Sequence, residues 1–568
     1  MTRHTSDFLR QRSSNLSLRS TAVANASSVS RLSSFVNPSE FESEPAMSDA
    51  EKAFIVGDLA RCKSLALCDS CYRDIPDRHT DSLAFQLTDD RSSCSSCNVL
   101  LSKPEAFTEP FCKFLQESPT IFHAVGYFKD KMASLGYKEL PARDDWSGKL
   151  EAGGKYFVTR NGTSVIAFTV GKAYKPGNGV AMIAGHIDAL TAKLKPVSNK
   201  STKAGYVQLG VAPYAGALNE TWWDRDLSIG GRVIVRDDSG KTSSKLVKLD
   251  WPIARIPTLA PHFGVGIMGQ KNKETEAVPI IGLDNSDISS SDSKPVEPLG
   301  PAGSFVSTQP PRLVQLISRE LGIKDHSQIV NWELELFDLQ PATVGGMDRE
   351  FIFAGRIDDK LCSWAAFQGL LASEANEDDG VIKLAALFDD EEIGSLLRQG
   401  ARGNLLPSVI ERAVESLCGE KTFGPGLIGQ TYARSFLVSA DVTHAVNPNF
   451  LSRYLDDHAP RLNVGICIAA DSNGHMTTDA VSTAILTRVC QLSDCTPQVF
   501  QIRNDSRSGG TVGPMLSSAM GVKAIDAGMA QLSMHSIRAT CGSLDPGLGV
   551  KFFKGFLDKF EKVDAEWQ

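Results

Sequence analysis

The stretch VIKLAALFDDEEIGS constrains the fold of this chain more than any other, because a continuous apolar run leads directly into four carboxylates. These are Asp389, Asp390, Glu391 and Glu392. Four like charges within about 13 Å, at roughly 3.3 Å per extended residue, repel one another and resist burial. A cation must therefore offset them. The pattern predicts a buried strand whose carboxyl end lies beside bound divalent metal ions.

Several other apolar segments also end in potential metal ligands, namely His186 and Asp188 in AGHIDAL, Asp358 in GRIDDKL, Asp441 in VSADVTH and His535 in LSMHSIR. The loops at the carboxyl edge of an open α/β sheet converge on one crevice, so we expect these side chains to meet there. Taken singly, such residues are commonly helix caps or hydrogen-bonded structural groups. Together, two imidazoles and several carboxylates match the ligand set of a two-metal zinc hydrolase.

The adjacent pair Glu391 and Glu392 is predicted to divide the chemistry. Successive side chains of an extended strand point in opposite directions, so only one of the two can bind a given metal ion. The other can face the attacking water. The pair thus supplies one ligand and one general base.

Changes in composition divide the 568 residues into four regions. The start of region 1–103 is rich in Ser and Arg and predicts a disordered tail, with an organelle transit peptide as the alternative. Residues 104–193 and 347–568 alternate strand and helix patterns, including a hairpin around Asn161-Gly162. Residues 194–346 contain short alternating runs typical of antiparallel strands. The fold class is therefore α/β: a mixed central sheet flanked by helices, with an inserted β-rich domain.

Two CxxC pairs lie in the N-terminal region: Cys68 with Cys71, and Cys94 with Cys97. Such pairs suit a tetrahedral thiolate zinc site. An equally good interpretation is a loose Ser-rich segment with incidental cysteines. Most of the remaining cysteines are scattered singly, which is typical of reduced core thiols rather than of a disulfide framework.

Charge and hydropathy argue against several function classes. The formal net charge of −8 supplies no basic surface for nucleic acid, and no GxxxxGK phosphate loop occurs. No apolar run reaches the roughly eighteen residues that a membrane span needs. We therefore expect a soluble protein that acts on peptides or small molecules.

The motifs GHIDALTAKLKPVS, ETWWDRDLSIGGR, FAGRIDDKL, FDDEEIGS, SADVTHAVNPNF, NGHMTTD, NDSRSGGTVGP and QLSMHSIRA together resemble the aspartyl aminopeptidase family of zinc metallopeptidases. The resemblance covers about residues 104–568 and is closest to the fungal vacuolar branch. It implies two zinc ions per subunit, one site of which can accept another divalent metal.

The resemblance also implies the role of each site residue. His186 and Asp441 would hold one metal and Glu392 and His535 the other, with Asp358 as the bridge. The implied non-ligand roles fall to three residues, with Glu391 as general base, Asp188 orienting His186, and His262 reaching the active site of a neighbouring subunit. The family usually has Asn where this chain has Asp359, and an added charge there is expected to alter metal affinity or choice.

The resemblance further implies assembly and location. A tetrahedral dodecamer of dimers joined by the inserted domain is expected. The vacuolar branch assembles in the cytosol and reaches the vacuole by selective autophagy, through a receptor that reads the N-terminus. The Arg/Ser-rich start differs from the helical propeptide of that branch, so a cytoplasmic or mitochondrial location stays open.

The preferred N-terminal residue is predicted from the stretch ICIAADSNGHMTTD, which contains no Lys or Arg. An acidic substrate side chain needs a fixed cation. With His475 and Met476 as pocket candidates and Asp505 nearby in IRNDSRSGG, neutral residues such as Leu are predicted to be preferred. Arg503 or Arg507 could supply a cation instead. Two other functions remain open at this point: an assembly or cargo protein with weak activity, and a dinuclear carboxypeptidase or amidohydrolase.

Overall fold

The computed structural model describes residues 103–263, 272–285, 298–373, 375–419 and 423–567. The two CxxC pairs lie outside these ranges, so the N-terminal zinc site stays a prediction. Nine α-helices occur within them: α1 Thr108–Glu117, α2 Ile121–Ser134, α3 Pro311–Glu320, α4 Ile357–Ala372, α5 Leu405–Leu417, α6 Pro425–Ala433, α7 Ala480–Leu492, α8 Val512–Met520 and α9 Asp545–Asp564. No described helix is both long and apolar enough to cross a bilayer.

Nine strands form the large central sheet: β1 Lys138–Glu139, β2 Lys155–Arg160, β3 Ser164–Val170, β4 Val180–His186, β13 Ile382–Phe388, β14 Phe436–Ser439, β16 Cys467–Ala470, β17 Gln498–Gln501 and β18 Lys523–Gly528. Their spatial order is β1-β2-β3-β13-β4-β14-β18-β16-β17. The four central strands β13, β4, β14 and β18 run parallel, while β3 and β16 pair with them antiparallel. The predicted mixed sheet is confirmed.

Helices cover both faces of this sheet. Alternate residues of β4 and β13 enter two separate apolar clusters, as period-two side-chain alternation requires. Side chains of α1, α2, α4, α7 and α9 pack in the cluster on one face. Those of α5, α6 and α8 pack on the other. Burial on both faces explains why the central strands read as continuous apolar runs.

The parallel centre brings the ends of three strands to the same level. Phe388 of β13 pairs with His186 of β4, and Ser439 of β14 pairs with Ala184. The residues that follow these strands, including Asp389 and Asp441, therefore leave the sheet at one edge. This is the edge where the sequence predicts the metal site.

A second sheet is built from residues between β4 and α4. Its six strands are β5 Thr191–Asn199, β6 Tyr206–Tyr214, β7 Leu227–Arg236, β8 Thr242–Lys248, β9 Ile280–Leu283 and β10 Ile329–Asp338. They lie in the order β8-β7-β10-β5-β6-β9, and every neighbouring pair is antiparallel. Helix α3 packs against this sheet in an apolar cluster of its own.

The remaining strands form two small sheets: β11 Thr343–Gly345, β12 Phe351–Ala354 and β20 Ala539–Gly542 in one, and β15 Thr443–His444 with β19 Ala530–Gln531 in the other. The pairing of β15 with β19 brings the segments after β14 and β18 together. These segments carry Asp441 and His535.

Candidate metal centre

A first group of potential ligands consists of His186, Asp358 and Asp441, whose ligand atoms all lie within 4.8 Å of one another. His186 Nε2 is 3.3 Å from Asp358 Oδ1 and 3.6 Å from Asp441 Oδ1. His186 is the last residue of β4, Asp441 follows β14, and Asp358 stands at the start of α4. Three separate segments thus direct one nitrogen and two oxygens at a common point.

A second group consists of Asp358, Glu392 and His535, again with ligand atoms within 4.8 Å. His535 Nε2 is 3.5 Å from Asp358 Oδ2 and 3.3 Å from Glu392 Oε2. Asp358 therefore turns one carboxylate oxygen to each histidine. One shared carboxylate between two mixed nitrogen and oxygen groups is the arrangement of a dinuclear centre.

The Glu391 and Glu392 pair differs from the sequence prediction in its backbone. The two residues begin a 3-10 helix, Glu391–Ile393, and do not continue the strand in extended form. The left-handed backbone of Asp390 and Gly394 at either end explains the turn. The side chains still separate: Glu391 Oε2 lies 3.8 Å from His186 Nε2, whereas Glu392 faces His535.

Asp188 connects both ligand groups. Its carboxylate is 3.1 Å from His186 Nδ1 and accepts the backbone N–H groups of Glu391 at 3.3 Å and Glu392 at 3.2 Å. Tyr214 donates its hydroxyl to the same carboxylate at 2.6 Å. Burial alone would raise the pKa of Asp188. The hydrogen bonds from His186, Tyr214 and the backbone of Glu392, together with the charge of His186, lower it by more, so its pKa lies below the usual range.

The electrostatics of the site favour a bound cation. Burial, together with neighbouring carboxylates, raises the pKa of Glu391 to about 9 and of Glu392 to about 7. Burial alone would lower the pKa of His186, yet hydrogen bonds to Asp188, Asp358 and Asp441 raise it well above its usual value. Glu392 Oε1 is buried and accepts no hydrogen bond from the described residues. A zinc ion offsets such crowded charge, and the donor set fits it.

Asp359 lies next to the shared ligand but does not join either group. Its carboxylate accepts the backbone N–H of Val442 at 3.1 Å and that of His186 at 3.4 Å. Gly185 leaves room for it, since a Cβ there would lie 2.8 Å from Asp359 Oδ2. The Asp359 carboxylate thus forms hydrogen bonds with the backbone of two segments that carry potential metal ligands. Whether Asp359 alters metal affinity or choice stays a prediction.

The other sequence-predicted residues lie outside these two groups. His262 is exposed, and its ring stacks on Phe263 with centroids 5.0 Å apart. His475 is 3.4 Å from Asp471, and Met476 beside it is half-buried. Asp505 binds the guanidinium of Arg503 at 2.8 and 2.9 Å.

Two residues near the centre have no place in the sequence prediction. The His444 ring lies beside that of Phe500 with centroids 5.8 Å apart, and burial lowers the pKa of His444 although Asp358 and Asp441 lie near. It stands three residues after Asp441 in the motif SADVTHAV, and this short spacing from a predicted ligand is a sequence signal for a residue near the centre. Tyr214 carries no such signal, because it belongs to the second sheet.

Comparison with known proteins shows the family to which this chain belongs. A profile of the family described as aminopeptidase I zinc metalloprotease (M18) matches residues 114–557. The chain belongs to this family. Vacuolar aminopeptidase 1 of Saccharomyces cerevisiae is 42% identical over 476 residues, which cover 83% of this chain and 91% of that protein. Aspartyl aminopeptidase of Aspergillus oryzae is 40% identical over 480 residues, covering 80% of this chain and 96% of that protein.

Solved structures agree with the sequence relatives. Chaetomium thermophilum mApe1 is 66% identical, with a TM-score of 0.77 over 82% of this chain and 100% of that one. The Ape1 dodecamer of S. cerevisiae is 38% identical with a TM-score of 0.72, covering 82% and 99%. Ape4, solved in complex with Nbr1, is 37% identical with a TM-score of 0.76, covering 82% and 88%.

Membership of this family confirms the prediction of a zinc-dependent aminopeptidase. The two groups of potential ligands at the carboxyl edge of the central sheet are the candidate centre for this activity. The family description supports zinc as the metal. It also favours the aminopeptidase over the rival carboxypeptidase or amidohydrolase.

Proposed function

We propose that this M18 aminopeptidase removes single N-terminal residues from peptides with two zinc ions per subunit. His186 and Asp441 would hold one ion, Glu392 and His535 the other, and Asp358 would bridge them. The observation that carries this proposal is that Asp358 directs one carboxylate oxygen to each of two histidine-containing groups. One of the two sites can take another divalent metal, because each ligand group combines one imidazole with two carboxylates.

Zinc, when bound, lowers the pKa of a water molecule and polarises the peptide carbonyl. Glu391 acts as the general base in this proposal. Its Oε2 lies 3.8 Å from His186 Nε2, at the edge of the first ligand group. It accepts a proton from the attacking water as the C–O bond forms and returns that proton to the leaving amine as the C–N bond breaks. Asp188 holds the imidazole of His186 in position through Nδ1.

The adjacent glutamates provide a matched test of these roles. Glu391→Gln should retain two zinc ions and lose about a hundredfold or more in kcat, since it removes only the base. Glu392→Gln should instead lose zinc, because it alters a ligand. Metal content is measured on the purified protein, and turnover with a leucyl chromogenic substrate. Wild-type kcat in Glu391→Gln contradicts the base assignment.

We also propose that neutral N-terminal residues such as Leu are preferred over acidic ones. Arg503, one cation that could bind an acidic side chain, is already paired with Asp505. His475 lies beside the carboxylate of Asp471, and the His444 and Phe500 rings are close to the centre. A buried substrate carboxylate would then have no free cation among Arg503, His475 and His444, which is costly. Arg507, the other candidate cation, is exposed.

The ratio of kcat/KM for leucyl and aspartyl versions of one substrate tests this preference. The leucyl substrate should be cleaved with the higher kcat/KM. A preference for aspartyl of about tenfold, or roughly 1.4 kcal/mol of transition-state binding, contradicts the proposal. Loss of cleavage on N-acetylation serves as the control, because an aminopeptidase needs a free amine.

We propose further that residues 104–193 and 347–568 form the catalytic domain and that 194–346 form an inserted dimerisation domain. The second sheet, which runs from β5 to β10, supports this division. Dimers would assemble into a tetrahedral dodecamer, and the dodecameric relative supports that stoichiometry.

Delivery from the cytoplasm to the vacuole, through a receptor that reads the N-terminal extension, is part of the same proposal. A vacuolar relative and a relative solved with Nbr1 support it. C-terminal fluorescent fusions with and without residues 1–103 test the location. A diffuse cytosolic signal from both fusions contradicts vacuolar delivery.

A further inference from the structure

The carboxylate of Asp188 is held by donors from two different sheets. It is 3% exposed, so its charge depends on hydrogen bonds and not on water. His186 and the backbone N–H groups of Glu391 and Glu392 belong to segments that leave the central sheet. The fourth donor is the hydroxyl of Tyr214, which is the last residue of β6 in the second sheet.

Tyr214 is itself fixed in place. It is 8% exposed, and its backbone pairs with Thr191 at the start of β5. The ammonium group of Lys193 lies 4.0 Å from the centre of its ring, which is within the range of a cation–π contact. A rigid phenol thus places its hydroxyl oxygen 2.6 Å from Asp188 Oδ2.

Asp188 Oδ2 receives this hydroxyl and the longer bond from the N–H of Glu392, while Oδ1 faces His186 and the N–H of Glu391. The shortest of the four contacts is the one from Tyr214. Without it, the carboxylate keeps three longer bonds and gains freedom to rotate. Such rotation would misdirect the imidazole of His186 and release the backbone that carries Glu392.

We propose that Tyr214 is a positioning residue for the metal centre, through which the second sheet orients Asp188 and thereby the ligands of both zinc ions. This inference rests on the proposed ligand roles of His186 and Glu392. It makes the second sheet part of the metal site in each subunit. Loss of a group that holds a metal ligand in position commonly lowers metal affinity about ten- to a hundredfold.

The test compares Tyr214→Phe with Tyr137→Phe in the full-length enzyme. Tyr137 is a matched control, because it is 7% exposed and its hydroxyl lies 3.2 Å from Thr169 Oγ1. Bound zinc is measured at a series of free zinc concentrations set by a chelator buffer. Tyr214→Phe should raise the free zinc needed for half-saturation about tenfold, whereas Tyr137→Phe should match the wild type.

Thermal unfolding of both variants separates positioning from a merely structural role. A structural hydroxyl would lower the Tm without moving zinc affinity. Unchanged half-saturation in Tyr214→Phe therefore overturns the inference. If the wild type itself binds no zinc, the proposed function fails instead, so the two failures are distinguishable.

A double-mutant cycle tests the route through Asp188. In an Asp188→Asn background, the further change Tyr214→Phe should shift half-saturation by less than about twofold, since groups that act through one another are not additive. An undiminished effect in that background overturns the role of Asp188 as the connection. The same cycle measures the effect of Tyr214 even where the single variant is less stable.

Discussion

Asp359 is buried one residue from a proposed zinc ligand, and its two shorter hydrogen bonds come from backbone N–H groups, with a longer one from the Ser363 hydroxyl. It accepts the N–H of Val442, which follows β14, and the N–H of His186, which is the last residue of β4. The side chain therefore links the segments that carry Asp441 and His186. Its burial, with Asp441 and Asp358 near, raises its pKa well above the usual value.

Asp359→Ala should lower the free energy of unfolding by about 2–4 kcal/mol, because it leaves two buried N–H groups without acceptors. Asp359→Asn is the control, since it retains one carbonyl oxygen and should cost roughly half as much. Denaturant unfolding of the metal-loaded protein measures both. An alanine variant as stable as the wild type would show that these bonds do not stabilise the fold.

At the residue scale, the sequence predicts metal-site candidates that follow apolar strands, because the geometry of a parallel sheet brings them together. His186, Asp441 and His535 are of this kind. Tyr214 could not be found in the same way, since its contact with Asp188 depends on how two sheets pack. The sequence also does not predict the 3-10 turn at Glu391, because a run of carboxylates does not distinguish a strand from a 3-10 helix.

At the scale of elements, continuous apolar runs predict the central strands well. VAMIAGH and IKLAALF form β4 and β13, and Asn161-Gly162 forms the turn between β2 and β3 with positive φ at both residues. The order of the strands within the sheet cannot be predicted in this way, because β13 lies between β3 and β4 through a long-range pairing. Local periodicity carries no information about such a partner.

Helix α2 contains a half-buried histidine in its first turn, and this predicts acid sensitivity. Burial lowers the pKa of His123 to about 4, and the nearby Lys360 and Lys248 act in the same direction. Its Nδ1 lies 2.7 Å from Thr120 Oγ1. Between pH 6.5 and 4 the unfolded chain binds a proton that the folded chain excludes, so stability falls as pH falls.

His123→Asn removes this titration while keeping a polar group near Thr120. The wild type should lose up to about 3 kcal/mol more than the variant between pH 7 and pH 4, from a pKa difference of roughly 2.5. Denaturant midpoints at pH 7, 6, 5 and 4 measure the difference. Equal pH dependence of the two proteins would rule out His123 as the cause.

At the scale of the whole molecule, the role predicted for His262 depends on assembly. It lies in the 3-10 segment Pro261–Phe263, between Leu259, which is 50% exposed, and Phe263, which is 65% exposed. Apolar side chains exposed on both sides of a histidine suit contact with another subunit. The histidine belongs to neither ligand group of its own chain.

Complementation between two impaired variants tests this role. His262→Gln and Glu391→Gln should each be nearly inactive alone. In a mixed dimer, the metal centre of the His262→Gln subunit receives an intact His262 from the Glu391→Gln subunit, so one of its two sites is whole. Co-expression at equal levels should therefore restore about a quarter of wild-type activity, as random pairing in a two-fold symmetric dimer requires. If His262 acted within its own subunit, every site in a mixed dimer would keep one altered residue and no activity would return. Separately, a fully active monomer detected by light scattering would exclude the role of His262 in a neighbouring subunit.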